Sequence, residues 1–161
     1  MKTKLFQMLG LCLSMLLLGI SNSGAQAAKK PVVGDQAPLV SGLNQDGKEW
    51  KLADSVGKKA VPLYFYPKDE TPGCTKEACG LRDSMGDLQK ADVEVVGVSF
   101  DSAESHKSFI AKHNLNFALI ADTDGKVVDA FLAAHQTYVA GLGYRAIWLV
   151  GPTGEMSREV G

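Results

Sequence analysis

Apolar and polar positions fall into blocks of different period along the chain. Leu5 to Ile20 is an apolar run broken only by Gln7, Ser14 and two glycines. Further on, Trp50 and Leu52 alternate with polar neighbours after Asn44-Gln45-Asp46-Gly47, which predicts a hairpin turning at the Asp-Gly step. Lys29 to Gln36 reads as an extended leader into it. Val61 to Tyr66 is nearly all apolar, the pattern of a buried central strand, with Pro62 tolerable only near its start. Residues 74 to 90 switch to a helical period: Cys74, Ala78, Leu81, Met85 and Leu88 share one face at spacings of three and four. Val93 to Phe100 predicts a second buried strand. Asp101, with Glu104 three residues on, predicts the N-cap of a helix reaching about His113. Phe117 to Ala121 predicts a third strand, Asp122 to Gly125 a turn, and Val127, Val128, Phe131 and Leu132 a short amphipathic helix. Ala146 to Val150 and Glu155 to Val160 predict a closing hairpin around Gly151-Pro152-Thr153-Gly154. Strands alternating with helices predict an α/β domain in three layers.

The first apolar block stands apart from this fold. Lys2 and Lys4 precede it, polar Ser21 to Gly24 follow it, and Ala25-Gln26-Ala27 fits the small-x-small rule for cleavage. Residues 1–27 are expected to be a signal peptide cut after Ala27, with residues 28–161 as one domain. A membrane anchor is the other reading of this block, but its uninterrupted part is shorter than the ~20 residues a spanning helix needs. Leu11 before Cys12 does not suit lipoprotein processing, so Cys12 is expected to leave with the signal. Export, in a bacterium to the periplasm, follows as the expected location, with no membrane attachment afterwards.

Charge then excludes some partners. Of 17 basic residues Lys2 and Lys4 go with the signal, so 15 face 18 acidic ones and the net charge is −3. Nothing in that balance suggests nucleic acid or an anionic membrane as partner. The expected domain keeps two cysteines, Cys74 and Cys79. Two cysteines in an oxidising compartment can pair, but a loop this short is no ordinary structural staple.

Thr71 and Pro72 suit the N-cap and first position of the helix, which puts Cys74 in its first turn. Free N–H groups and the positive end of the helix dipole favour a thiolate there, the nucleophilic form. Five residues along a helix turn about 140° and rise ~7.5 Å, so the two sulfurs point apart. A disulfide needs Cα atoms within ~7 Å, so joining them requires the first turns to unwind. Gly80 and Gly86, each weakening the helix by ~1 kcal/mol relative to Ala, predict a helix that opens easily. A pair of small, inert buried cysteines is the alternative reading.

Pro67, Thr71 and Cys74 match the peroxiredoxin motif Pro-x-x-x-Thr-x-x-Cys. The longer string Phe65-Tyr66-Pro67-Lys68-Asp69, Thr71-Pro72-Gly73-Cys74-Thr75, Glu77-Ala78-Cys79 and Arg82-Asp83 resembles the Q-type branch, also called bacterioferritin comigratory proteins. The resemblance runs from about Val33 to Val160. It implies a thioredoxin-like fold, a central mixed sheet flanked by helices, and a thiol peroxidase acting on hydrogen peroxide and organic hydroperoxides. It implies that Cys74 is the peroxidatic cysteine and that Cys79 resolves its sulfenic acid as an intramolecular disulfide. A thioredoxin-like donor would reduce that disulfide, with no cofactor and, by the same resemblance, a monomer. Thr71 would orient the peroxide, or cap the helix, or both at different stages. Pro67 would shield the thiolate from water. Arg145, which opens the apolar strand Ala146-Ile147-Trp148-Leu149, would lower the thiol pKa and stabilise the departing oxygen. Tyr64, Phe65 and Tyr66 read as core, with one or two lining the pocket, and Arg82 reads as a salt-bridging residue. The chain departs from the family in two ways. No C-terminal helix follows the last hairpin, and most Q-type members carry no export signal, so the reductant need not be cytosolic thioredoxin.

Other chemistry reads more weakly. His106, His113 and His135 do not cluster with the cysteines as metal ligands do and are expected to be solvated or core residues. Asp122 to Gly125 resembles the start of a calcium loop but lacks the later acidic ligands. An exported thioredoxin-fold copper chaperone is the alternative function, though that family spaces its cysteines four apart. A protein-disulfide exchange protein would want Cys-x-x-Cys.

Overall fold

A computed structural model describes residues 32–132 and 146–160. The expected signal peptide, His135 and Arg145 lie outside them. The elements run β1 (Ser41–Asn44), β2 (Glu49–Lys51), a 3-10 turn (Leu52–Asp54), β3 (Val61–Phe65), α1 (Pro72–Lys90), β4 (Val96–Ser99), α2 (Ala103–His113), β5 (Ala118–Ala121), α3 (Lys126–Leu132), β6 (Ala146–Val150) and β7 (Met156–Val160). The strands form one sheet in the order β2-β1-β5-β4-β3-β6-β7. β3, β4 and β5 are parallel neighbours, while β1, β2, β6 and β7 pair antiparallel.

The parallel strands explain where the helices go. β3-α1-β4 and β4-α2-β5 step across the sheet in the same direction. Right-handed crossovers therefore put α1 and α2 on the same face. Period-two alternation then sorts the core. Tyr64, Tyr66, Val95 and Leu119 pack with Cys74, Ala78 and Met85 of α1 and Phe109 of α2. Val61, Leu63, Phe65, Val96, Val98, Ile120, Trp148 and Val150 pack on the opposite face with Val127, Val128 and Phe131 of α3. A strand buried on both faces must be apolar throughout, which is why these segments lack polar alternation. Gly97 allows the layers to close. A Cβ there would lie 2.5 Å from Leu119 Cδ2 and 3.3 Å from Tyr66 Cε1. The result is the expected thioredoxin-like arrangement, a mixed sheet between helical layers. Among the described residues no helix is long and apolar enough to cross a membrane.

Some boundaries move. α1 begins at Pro72, the first helical position that the Thr71-Pro72 step predicts, two residues ahead of the apolar period that starts at Cys74. β4 and β5 are shorter than predicted, and Val93 makes only an isolated bridge to Ala60. The cap of α2 is Ser102 rather than Asp101: its side chain accepts from Ser105 N at 3.2 Å. Asp101 is occupied elsewhere, accepting from Asp69 N and from the Ser99 hydroxyl. Asp122 to Gly125 is a turn, with Gly125 N donating to Asp122 O. Both Asp122 carboxylate oxygens accept first-turn N–H groups of α3, from Val127 and Val128. Burial nonetheless pushes the Asp122 carboxyl above its ordinary value.

Candidate active site

The site lies at the carboxyl ends of β3 and β4, where crossover loops leave the sheet. Cys74 is the third residue of α1 and fully buried, under Tyr64 and Tyr66, whose rings stack at 4.9 Å. Cys79 is half-buried on the same helix, and no disulfide joins the two cysteines. Between them Glu77 accepts from the Tyr64 hydroxyl at 3.3 Å, tying these turns to the sheet. Arg82 bonds Asp83 at 2.7 Å and donates to His113 O at 2.6 Å, so the expected salt-bridging role holds and also joins α1 to the end of α2. The hydrogen bond and charge of Asp83, and lastly Cys79, strengthen its hold on its proton.

Thr71 occupies the N-cap position, but its side chain makes no capping bond. Its hydroxyl donates back to Lys68 O at 3.1 Å, bracing the loop instead of the helix. The capping role read from the sequence is therefore corrected. A main-chain carbonyl within reach draws the hydroxyl inward along the loop. Pro67 is half-buried at the start of this loop. Arg145 immediately precedes Ala146, whose backbone pairs with Phe65 at the end of β3.

The centre of the loop is held by Asp69, whose role the sequence did not single out. Asp69 is 4% exposed, and its carboxylate accepts from the Tyr66 and Ser105 hydroxyls, each at 2.7 Å. His106 Nδ1 lies 2.9 Å from Asp69 Oδ2 and 3.4 Å from the Tyr66 hydroxyl. Burial alone would raise the Asp69 carboxyl, but hydrogen bonds from His106, Ser105 and Tyr66 and the charge of His106 hold it below its ordinary value. Burial, then the charge of Asp69, pushes the Tyr66 hydroxyl far up, so it stays a donor. Glu70 is left-handed, with φ 61°, and turns outward. Its carboxylate takes Lys112 at 2.6 Å and His113 at 3.2 Å. Glu70 is held low first by its hydrogen bond to Lys112.

His106 is thus a core histidine, as expected, but with an acidic partner. His113 is a surface partner of Glu70. Among the described residues no group of three or more His, Cys, Asp or Glu side chains could hold a metal ion. The signal for Asp69 was present but weak: an acid inside the motif loop, with its partner 37 residues away.

The AhpC/TSA family model matches residues 33–158. Peroxiredoxin Bcp of Escherichia coli is 48% identical over 98 residues, which cover 61% of this chain and 62% of the relative. The chain therefore spans less than two thirds of that relative's length. The crystal structure of a PrxQ variant from Xylella fastidiosa superposes with TM-score 0.72 at 29% identity, covering 81% of this chain and 86% of that one. A structure bearing on the alkyl peroxide reduction activity of the Xanthomonas campestris bacterioferritin comigratory protein superposes with TM-score 0.67 at 28% identity, covering 78% and 87%. The motif around Cys74, the thioredoxin-like sheet and these matches agree: the chain belongs to the AhpC/TSA family, the peroxiredoxins, within its Q-type branch.

Proposed function

We propose that this chain is a thiol peroxidase that reduces hydrogen peroxide and organic hydroperoxides, with Cys74 as its peroxidatic cysteine. The observation that carries the reading is the position of Cys74, in the first turn of α1 directly after a braced Pro67–Thr71 loop. The Cys74 thiolate attacks the terminal oxygen of ROOH. The O–O bond breaks, ROH leaves with a proton, and sulfur keeps the OH as a sulfenic acid. Thr71 orients the peroxide, and Pro67 keeps water from the sulfur. Arg145 supplies positive charge to the reacting oxygens. Its place next to Ala146, which pairs with the strand leading into the loop, supports that role.

The first turns of α1 then unwind. The Cys79 thiolate attacks the Cys74 sulfur, the S–O bond breaks, and water leaves as the disulfide forms. A thioredoxin-like dithiol reduces it by exchange and is itself oxidised to a disulfide. Gly80 supports the unwinding, because open space surrounds the position where its Cβ would be and packing does not require a glycine. Residues 1–27 act as the export signal, and the domain from residue 28 works as a periplasmic monomer.

Stopped-flow consumption of hydrogen peroxide with a dithiol donor tests the assignment. The parent is expected to turn over and Cys74→Ser to lose that turnover. Equal rates in the two proteins would remove Cys74 from the chemistry.

A further inference from the structure

We propose that the buried Asp69–His106 pair is a positioning unit for the peroxide step, fixing the loop that carries Pro67 and Thr71 against Cys74. This rests on the peroxidase reading above and adds to it two residues that touch neither sulfur. Asp69 stands two residues from Pro67 and two from Thr71, at the middle of the loop. Every polar group of that residue given a partner here is tied to a different element. Its N–H donates to Asp101 Oδ2 at 2.9 Å, in the turn before α2. One carboxylate oxygen accepts from Tyr66 at the end of β3. The other faces Ser105 and His106 of α2.

The proton arrangement follows from the partners. His106 Nε2 is 3.2 Å from Ile120 O, which can only accept, so Nε2 carries a proton. Its Nδ1 faces the Asp69 carboxylate at 2.9 Å, so the ring is held at both nitrogens. Burying such a polar pair adds little stability, because desolvation offsets most of the attraction. What it fixes well is geometry, since displacing either partner leaves the buried Asp69 carboxylate short of a hydrogen bond. Here the fixed geometry is that of the peroxide-binding loop. The exposed Glu70 clamp to Lys112 and His113 holds the next residue to the other end of α2. The loop is thus anchored before α1 begins, so unwinding from Pro72 onward leaves the anchor in place.

The two chemical steps should therefore respond differently. Rapid-quench mass spectrometry on the full chain, with dimedone trapping the sulfenic acid, measures each. Asp69→Ala and His106→Leu are expected to slow sulfenic acid formation by about tenfold or more, the scale of a displaced positioning group. Condensation of the sulfenic acid with Cys79 is expected to stay at the parental rate or rise. His106→Asn, whose amide can still donate to Asp69, is expected to recover most of the first step. Should Asp69→Ala not fold, Asp69→Asn keeps the shape, removes the charge and is read the same way. Sulfenic acid formation within about twofold of the parent in the folded variants overturns the proposal. So does a fall of both steps together with the melting temperature. A parent that forms no sulfenic acid sinks the peroxidase reading, and this one with it. An active parent with unaffected variants sinks only this one.

Discussion

Cys74 and Cys79 share a helix but not an environment. Cys74 is buried at the helix start in one cluster with Tyr64 and Tyr66, while Cys79 is half-exposed beside Arg82. That asymmetry suits a division of labour in which one sulfur meets peroxide and the other waits. The residue with the clearest titration consequence is Asp69. Its folded carboxyl is held below the ordinary value of 3.8, so its interactions add stability fully present above that pH. The contribution is lost as pH falls through the lower folded value. Urea unfolding of the parent and Asp69→Asn over a pH series is the check. The parental advantage should be constant near neutrality and shrink below about pH 4. An advantage that grows on acidification would contradict the charge assignment. Sequence reading found Cys74, Pro67 and Thr71 because they stand in one short motif. Asp69 carries no such signal, because an acid in a polar loop reads as solvated, and His106 reads as core without its acidic partner. Only the fold brings β3, the loop and α2 together around it. Thr71 stands at the N-cap as its type predicts, but its hydroxyl braces the loop rather than the helix.

In the proposed mechanism α1 is ordered for the first step and open for the second. Gly80 bears on that balance. Gly80→Ala is expected to stabilise α1 by up to ~1 kcal/mol, since no neighbour opposes the added methyl. Disulfide formation should then slow by about fivefold while sulfenic acid formation is unchanged. Rapid-quench kinetics decides this, and an unchanged condensation rate would mean that α1 does not limit the second step. Gly97 shows the opposite case. Gly97→Ala is expected to cost about 1–3 kcal/mol in chemical denaturation, because the methyl meets Leu119 and the ring of Tyr66. Period and apolarity were enough to predict the strands and α-helices among the described residues, but not the 3-10 turn Leu52–Asp54, where Leu52 reads as a strand residue. They did not fix the ends, where single hydrogen bonds decide. Asp101 and Ser102 are both good caps by type, and the choice fell to Ser102 only because the Asp69 N–H and Ser99 engage Asp101.

The whole molecule places this chemistry at one end of a mixed seven-stranded sheet. The parallel strands send α1 and α2 over one face, and that shared face is what lets α2 hold the loop from which α1 starts. The opposite face, under α3, holds the other apolar cluster. The layered architecture was readable from strands alternating with helices. Strand order was not, because pairing across the sheet depends on contacts between segments far apart in the chain. Residues 1–27 raise a separate expectation: secretion in a bacterial host should yield a periplasmic product beginning at Ala28, which N-terminal sequencing reads directly. Recovery of the uncut chain in the cytoplasm would contradict the export proposal. In the proposed cycle one helix carries both partners of the reaction. Non-reducing peptide mapping by mass spectrometry after one equivalent of hydrogen peroxide is the test. A Cys74–Cys79 disulfide within each chain is expected. Unmodified thiols, or a Cys74 that stops at sulfenic or sulfinic acid with Cys79 still free, would contradict it.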